Sequence, residues 1–528
     1  MPTSPLHLNS LPPASDSRIV SASSLRLSLP QPARRFFRHG WQSWSLAAWT
    51  DPIVLPVQRP KLLHPMQVDP VHADERSPHS SWVAAVELAE TDILLLGALG
   101  LDAHIKLNGD QLQGQYDAGE GEWLLARGDE TFVFARYTDE LGRRFGKKPE
   151  RPAPRVWCSW YSLYTAIDEA TLHCAFDSLG DLPFDVLQVD DGWQISIGDW
   201  EANTKFPSGM RALAERIKAT GRTAGLWLAP LIAAESSQLF REHRDWFLRD
   251  VKGKFVSAGF NWGERLFALD TTHPAGLEWL ATLMKQVRLW GFDYLKLDFL
   301  YAGALPGKRR VDMPREAAYR QGLKVLREAM GLDAFFLTCG APIIPSLGLC
   351  DALRVGPDVS GKWEDPRDAV MLYNFTTPGT RNAIRTTVNR LWLQPLVMTD
   401  PDVVYFVERE NSLSSEQKQL LQDLAHVCRF KATSDLPQWM TPAQRESLRR
   451  FLDCTAKVQR LDRSRFQIDD HVVDFAPALS LPTPATGLAR IQAALVSWLG
   501  NQLLAFKILK RIDDLALQRR KKGLRNEE

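Results

Sequence analysis

Seven short apolar runs recur between residues 156 and 398, separated by longer amphipathic segments, and this alternation constrains the chain more than any other feature. The runs are VWCSWY (156–161), FDVLQVD (184–190), TAGLWLAP (223–230), FDYLKLD (292–298), AFFLTC (334–339), ALRVG (352–356) and LQPLVM (393–398). Between them MRALAERIKATG (210–221) and GLEWLATLMKQVRLWG (276–291) read as helices closed by glycine, which takes a left-handed cap at least cost. Strands alternating with helices build a parallel sheet, either doubly wound or closed. A span of about 280 residues fits an eight-stranded barrel, whose remaining strand the pattern does not assign.

The residues before this region read as β-rich. Ala103, Ile105 and Leu107 alternate with polar neighbours and run into Asn108-Gly109, a two-residue hairpin signal. WVAAVEL (82–88) and TFVFARY (131–137) read as further strands, and GRRFGKKPERPAP (142–154) as a linker. Past the barrel, residues 458–475 suggest a strand. From Leu488 an amphipathic helix closes in the basic run QRRKKGLR (518–525). A solvated terminal helix is the first reading of that tail, a membrane-surface or partner-binding segment the second, and an altered reading frame the third. The expected organisation is an N-terminal β domain (1–145), a linker (146–155), a barrel (156–445) and a C-terminal region (446–528).

Composition removes several classes of function. Lys plus Arg total 64 and Asp plus Glu 63, so no global basic field for nucleic acid exists. No run approaches the ~20 apolar residues of a membrane helix. Six scattered cysteines lack CxxC pairs, which suits a reducing compartment. The MPTSPLHLNSLPP start lacks both a basic start and an apolar run, so no secretory signal is expected. The expectation is a cytoplasmic protein.

In a parallel barrel, functional groups gather at the C-terminal ends of the strands. Four runs end there in polar clusters: Asp190, Asp191 and Trp193; Trp227; Lys296 and Asp298; Arg354 and Asp358. Strand alternation puts Lys296 and Asp298 on one face. A nearby ammonium keeps a carboxylate ionised, as a carboxylate nucleophile requires, although a structural salt bridge reads equally well. Arg354 and Asp358 flank the Gly356-Pro357 turn; Asp358 could reach across as an acid, or the pair could cap a loop. Adjacent Asp190 and Asp191 need donors if buried. Vicinal sugar hydroxyls would serve, and a divalent metal is the competing use, without a third ligand nearby. Trp157, Trp160, Trp193, Trp200 and Trp227, among 18 tryptophans, fall at or just after strand ends. Singly each is core; together they suggest faces for sugar rings. Two opposed aspartates in an aromatic barrel suggest glycoside hydrolysis.

Taken in order, VWCSWYS, FDVLQVDDGWQ, IGDWEANTKFPSGM, GLWLAP, ALDTTHP, GFDYLKLDFLYAGALPG, CGAP and LRVGPDVS resemble successive motifs of glycoside hydrolase family 36, the α-galactosidases and their relatives. HGWQSWS (39–45) is similar to a motif of the family's leading domain. The resemblance runs from about residue 39 to 406. It implies a multi-domain α/β protein: an N-terminal β-sandwich, a (β/α)8 TIM barrel and a small antiparallel C-terminal domain, which here looks short and incomplete, part β and part helical. By motif, Asp298 corresponds to the nucleophile and Asp358 to the general acid/base of a retaining double displacement. Asp190 and Asp191 correspond to the pair gripping the 4- and 6-hydroxyls of a terminal galactose. Lys296 and Arg354 orient hydroxyls, Trp227 and Trp44 wall the pocket, and Cys339 lies near the sugar 2-position. Retention implies carboxyl groups about 5–5.5 Å apart, with the acid raised by the charge of Asp298. No metal and no cofactor are implied. The family's Asn-Asp-Pro-Asp stands here as Thr399-Asp400-Pro401-Asp402, which puts one supporting hydrogen bond in question. The expected substrate is a small α-galactoside and the expected assembly a homo-oligomer. An α-N-acetylgalactosaminidase, a transglycosylase or a decayed sugar-binding scaffold are the alternatives.

Overall fold

A computed structural model describes residues 5–8, 10–52, 66–147, 150–364, 378–481, 488, 491–492, 495 and 498–499. The N-terminal part is two facing sheets. One orders Leu6–Leu8, Ser24–Ser28, Gln111–Tyr116, Ala103–Asn108 and His79–Ser81; the other orders Asp16–Ala22, Gly121–Gly128, Asp92–Ala98, Val83–Ala89, Arg35–Arg38 and Ala48–Thr50. The pairings are antiparallel except that Leu6–Leu8 runs parallel to Ser24–Ser28. The Asn108-Gly109 hairpin is present: Asn108 pairs with Gln111, and Gly109 takes φ +61°. Where the sheets meet, the Trp123 indole fills the space a side chain at Gly114 would need, 2.8 Å from its Cβ position.

TFVFARY is not a strand. It lies in the helix Glu130–Phe145, whose first turn is capped by the Asp129 carboxylate accepting from the Phe132 amide at 2.8 Å. Val133, Phe134, Tyr137 and Leu141 form its buried stripe, a period of 3.6 that outweighs the β-favouring composition. The helix ties sandwich to barrel. The Tyr137 hydroxyl donates to the Ala98 carbonyl at 2.9 Å, and the Thr138 hydroxyl to that of Trp392 at 3.2 Å.

Eight parallel strands follow: Arg155–Cys158, Val186–Val189, Thr223–Leu228, Tyr294–Leu297, Phe335–Thr338, Ala352–Arg354, Met398–Asp400 and Lys431–Thr433. Each pairs with the next in chain order as far as the seventh, the eighth returns to the first, and a parallel bridge from Val404 to Thr433 closes the ring. The seventh strand lies later than LQPLVM suggests, because Leu391–Leu393 turn as a 3-10 helix first. Helices Gly209–Lys218 and Pro274–Trp290 sit where their apolar periods place them, the latter closed by Gly291 in the left-handed region.

The helix Pro442–Asp453 runs across the expected 445/446 boundary into a three-stranded antiparallel sheet, Val458–Arg460, Arg465–Ile468 and His471–Asp474. Beyond it Leu488, Ile491, Leu495, Trp498 and Leu499 are helical and exposed. The basic run 518–525 lies outside the described residues. Among the described residues no helix is long and apolar enough to cross a membrane.

Candidate active site

The polar clusters expected at the strand ends meet at the C-terminal mouth of the barrel. Asp190 follows the second strand and is buried. Its Oδ2 accepts from Lys296 Nζ at 2.9 Å and Gln188 Nε2 at 2.6 Å, with the Cys158 thiol at 3.4 Å; its Oδ1 takes the Asp191 amide at 2.9 Å. Asp191 is held by Gln194 Nε2 at 2.6 Å and Trp262 Nε1 at 2.7 Å. Burial, helped by the charge of Asp190, pushes its carboxyl up to about 6 against those two donors. N–H donors therefore occupy both carboxylates of the pair where a metal reading would place an ion.

The fourth strand delivers Lys296 and Asp298 on one face, yet they do not pair with each other. The ammonium reaches Asp190, and Asp298 accepts instead from Trp227 Nε1 at 3.0 Å and from the Phe299 amide at 2.8 Å. The second contact depends on Phe299 adopting φ +54°, a left-handed conformation that costs a bulky residue about 1–3 kcal/mol. The strain turns its N–H back onto Asp298. Lys296 is held firmly charged; the attraction of Asp190, with smaller help from Asp298, overcomes the penalty of burial.

Arg354 ends the sixth strand as the hub of three aspartates. Its Nε donates to Asp400 Oδ2 at 2.8 Å, and Nη1 to Asp358 Oδ1 at 3.2 Å, while Nη2 lies 2.8 Å from Asp402 Oδ1. Asp402 also accepts from the Tyr161 hydroxyl and from the Val359 amide at 3.0 Å. Asp358 is the most open of these groups, with a third of its side chain accessible. Its carboxyl is pushed up to about 7, first by desolvation in the crowded cleft and next by the charge of Asp402. Asp298 contributes the smallest part, which corrects the expectation that Asp298 would be its main source. Cys339 is buried; burial, then the charge of Asp298 and to a lesser extent that of Asp358, push its thiol well up against the pull of Arg354 and Lys296.

The aromatic wall is partly other than expected. Trp227 contacts Trp200 and Trp262, with ring centroids 5.9 and 6.2 Å apart. Trp193 does not face the cleft: wedged between Trp200 and Trp290, fully buried, it donates its indole N–H to the Trp227 carbonyl at 3.0 Å. Trp157 is likewise core. Trp44 arrives from the sandwich, packed edge-on against Phe299 at 5.2 Å, and its buried indole N–H finds no partner among the described residues. Gly340, at φ +51°, makes room for it: a Cβ there would meet Trp44 at 2.9 Å and the Phe299 amide at 3.1 Å.

The loop carrying Trp44 is anchored by Arg390, fully buried, whose guanidinium donates to the carbonyls of Gly40, Gln42, Ser43, Ser45 and Val355 at 2.6–3.0 Å. Burial pulls this cation below its ordinary range. Among the described residues its hydrogen-bond partners are neutral carbonyls. Arg390→Met strands those five acceptors, and at about 1 kcal/mol per lost bond we expect a loss of roughly 3–5 kcal/mol in unfolding free energy by denaturant titration. Wild-type stability in the variant would show the loop is held by other contacts.

Sequence reasoning missed Trp262, Tyr161, Gln188 and Arg390, and saw Asp402 only as part of a motif. Gln188 was findable, two residues before Asp190 on the same strand face. Trp262 lies between Ser257–Asn261 and Glu264–Ala268, strands of an added antiparallel sheet, and nothing in its local sequence points toward the barrel mouth.

Comparisons with known proteins bear on this site. The Melibiase family model matches residues 136–336. Alpha-galactosidase 2 of Pediococcus pentosaceus is 30% identical over 154 residues, 28% of this chain and 21% of its own length. Alpha-galactosidase AgaA of Geobacillus stearothermophilus is 27% identical over 206 residues, 36% of this chain and 27% of its own. The aligned stretches thus span between a fifth and about a quarter of these relatives. The structure of TtGalA, an α-galactosidase from Thermus thermophilus in complex with p-nitrophenyl α-D-galactopyranoside, superposes with a TM-score of 0.84 at 45% identity, covering 89% of this chain and 96% of that one. The GH36 α-galactosidase AgaA from Geobacillus stearothermophilus shares the fold, with a TM-score of 0.55 at 16% identity over 81% of this chain and 61% of that one.

Proposed function

This chain belongs to the α-galactosidases of glycoside hydrolase family 36, and we propose that it hydrolyses terminal α-D-galactosyl residues of galacto-oligosaccharides with retention at the anomeric carbon. Asp298 is the nucleophile in this reading. Two N–H donors hold its carboxylate in place and leave lone pairs free for attack. Asp358 is the general acid/base, and the observation that carries the reading is its place at the barrel mouth that also holds Asp298, tied to the Arg354 guanidinium shared with Asp400 and Asp402, where its carboxyl, raised to about 7, suits an acid. In the first half-reaction Asp298 attacks the anomeric carbon while Asp358 protonates the departing glycosidic oxygen. In the second, Asp358 takes a proton from water, which displaces Asp298. Asp190 and Asp191 accept from the 4- and 6-hydroxyls with the lone pairs their protein donors leave, Lys296 and Arg354 orient hydroxyls about the reacting centre, and Trp227, Trp262 and Trp44 close the cleft around the sugar.

The test is release of nitrophenol from aryl α-D-galactoside, with the aryl N-acetyl-α-D-galactosaminide alongside and the product anomer followed by NMR. Turnover of the galactoside with α-galactose formed first is expected. Turnover of the acetamido sugar alone keeps the mechanism and changes the substrate. β-Galactose formed first removes the double displacement. Silence on both sugars from folded protein removes the assignment altogether.

A further inference from the structure

A second cluster of chemistry-bearing side chains lies in the N-terminal sandwich, among residues with no part in the proposed reaction. Three separate elements supply it. His104 sits on Ala103–Asn108, Asp117 one residue past the paired strand Gln111–Tyr116, and His72 in the loop that leads to His79–Ser81. The register pairs Gln115 with His104 and Tyr116 with Ala103, and the Asp117 amide donates to the Asp102 carbonyl at 2.7 Å. Backbone pairing therefore holds Asp117 beside His104. His104 Nδ1 lies 3.3 Å and His72 Nε2 3.6 Å from the same oxygen, Asp117 Oδ1. The two imidazole rings stand 3.8 Å apart, and the three ligand atoms fall within 4.8 Å of one another. His72 Nε2 is inaccessible to solvent and has no hydrogen-bond partner among the described residues.

We propose that His72, His104 and Asp117 bind a divalent cation, Zn2+ by ligand chemistry, which fastens the His72 loop to the sandwich. Two imidazoles and a carboxylate are a Zn2+ donor set, with a water completing the shell. Ca2+ and Mg2+ call for oxygen donors. Asp117 Oδ2 faces Arg315 Nη2 at 3.6 Å, an orienting contact that leaves Oδ1 for the ion. The site has a structural consequence because the same loop reaches the barrel. Asp69 binds Arg315 through both oxygens at 2.8 and 2.6 Å, and the Met66 carbonyl accepts from Gln42 Nε2 at 2.6 Å, two residues before Trp44. An ion at His72 therefore stiffens the seam between sandwich and barrel.

The experiment uses the full chain, freed of metal by chelation and then titrated with Zn2+ by calorimetry and thermal unfolding. One ion per chain is expected, with a rise in Tm of about 2–3 °C at a hundredfold excess over Kd. His72→Gln/His104→Gln should weaken binding about 100-fold or more and abolish the rise, with glycosidase activity kept. Absence of heat and of a Tm shift in wild type, or binding that survives in the double variant, overturns the proposal. Should the double variant fail to fold, Co2+ absorption of wild type decides. Ligand-field bands of a nitrogen- and oxygen-ligated site without thiolate charge transfer support it, while thiolate bands would place the ion on a cysteine and overturn it.

Discussion

Asp298→Ala is expected to lower kcat on aryl α-galactoside by about 10^4-fold or more, the scale on which loss of a covalent nucleophile registers. That factor is about 5 kcal/mol of transition-state stabilisation. The truncation costs the fold a comparable amount, since two neighbours, Trp227 Nε1 and the Phe299 amide, lose one acceptor each, at about 1–3 kcal/mol apiece. Asp298→Asn, which keeps one acceptor oxygen, separates the two effects: activity stays lost while unfolding moves less. Azide gives the stereochemical check. In Asp298→Ala it occupies the face the carboxylate has left, displaces the aryl leaving group and yields β-galactosyl azide. In Asp358→Ala it intercepts the glycosyl-enzyme and yields the α-azide. The opposite pair of products would exchange the two roles, and activity in Asp298→Ala above about 1% of wild type would remove Asp298 from the mechanism.

What the sequence reveals about this molecule follows from how local each determinant is. The barrel is legible because strand and helix periods are properties of short windows. The exceptions are the eighth strand, three residues of KAT with no apolar run, and the 131–137 segment, where residue type pointed to a strand and spacing to a helix. Asp190, Asp191, Asp298 and Asp358 are visible because strand ends in a barrel converge on one mouth. Their partners are not, because those are chosen across the barrel. Lys296 shares a face with Asp298, yet its side chain extends over the third strand to Asp190. Asp402, in view as part of a motif, gains its meaning only when Arg354 is seen to hold it and Asp358 on the same guanidinium. Trp193 and Trp227 look alike in sequence, and only packing separates the supporting indole from the one that binds Asp298.

The protonation of Asp358 has consequences for activity and for stability that run in the same direction as pH rises. Asp358→Ala should cost about 10^2–10^4-fold on oligosaccharides, whose leaving oxygen needs a proton, and far less on dinitrophenyl galactoside, whose leaving group does not. In wild type, kcat/KM on oligosaccharides should fall above pH about 7 as the acid ionises. The ordering of causes gives a sharper test. Asp402 repels the Asp358 carboxylate more than Asp298 does, and its own carboxyl is also raised by burial, so the two titrate as a pair. Asp402→Asn removes that repulsion and frees Arg354 for Asp358, so the alkaline limb should move to lower pH; an unmoved limb would assign it to another group. For stability the sign follows from linkage. The folded Asp358 binds its proton more tightly than the unfolded chain does. The resulting stabilisation is complete below pH about 4, the ordinary carboxylate range, and is lost as pH rises through about 7. Asp358→Asn, which cannot ionise, should therefore unfold at a higher temperature than wild type at pH 8 and show little difference at pH 4. Equal melting temperatures at both would mean the carboxyl is not raised, and the acid role would fall with it. If Asp358 is the acid, its ionisation as pH rises through about 7 thus removes activity and stability together.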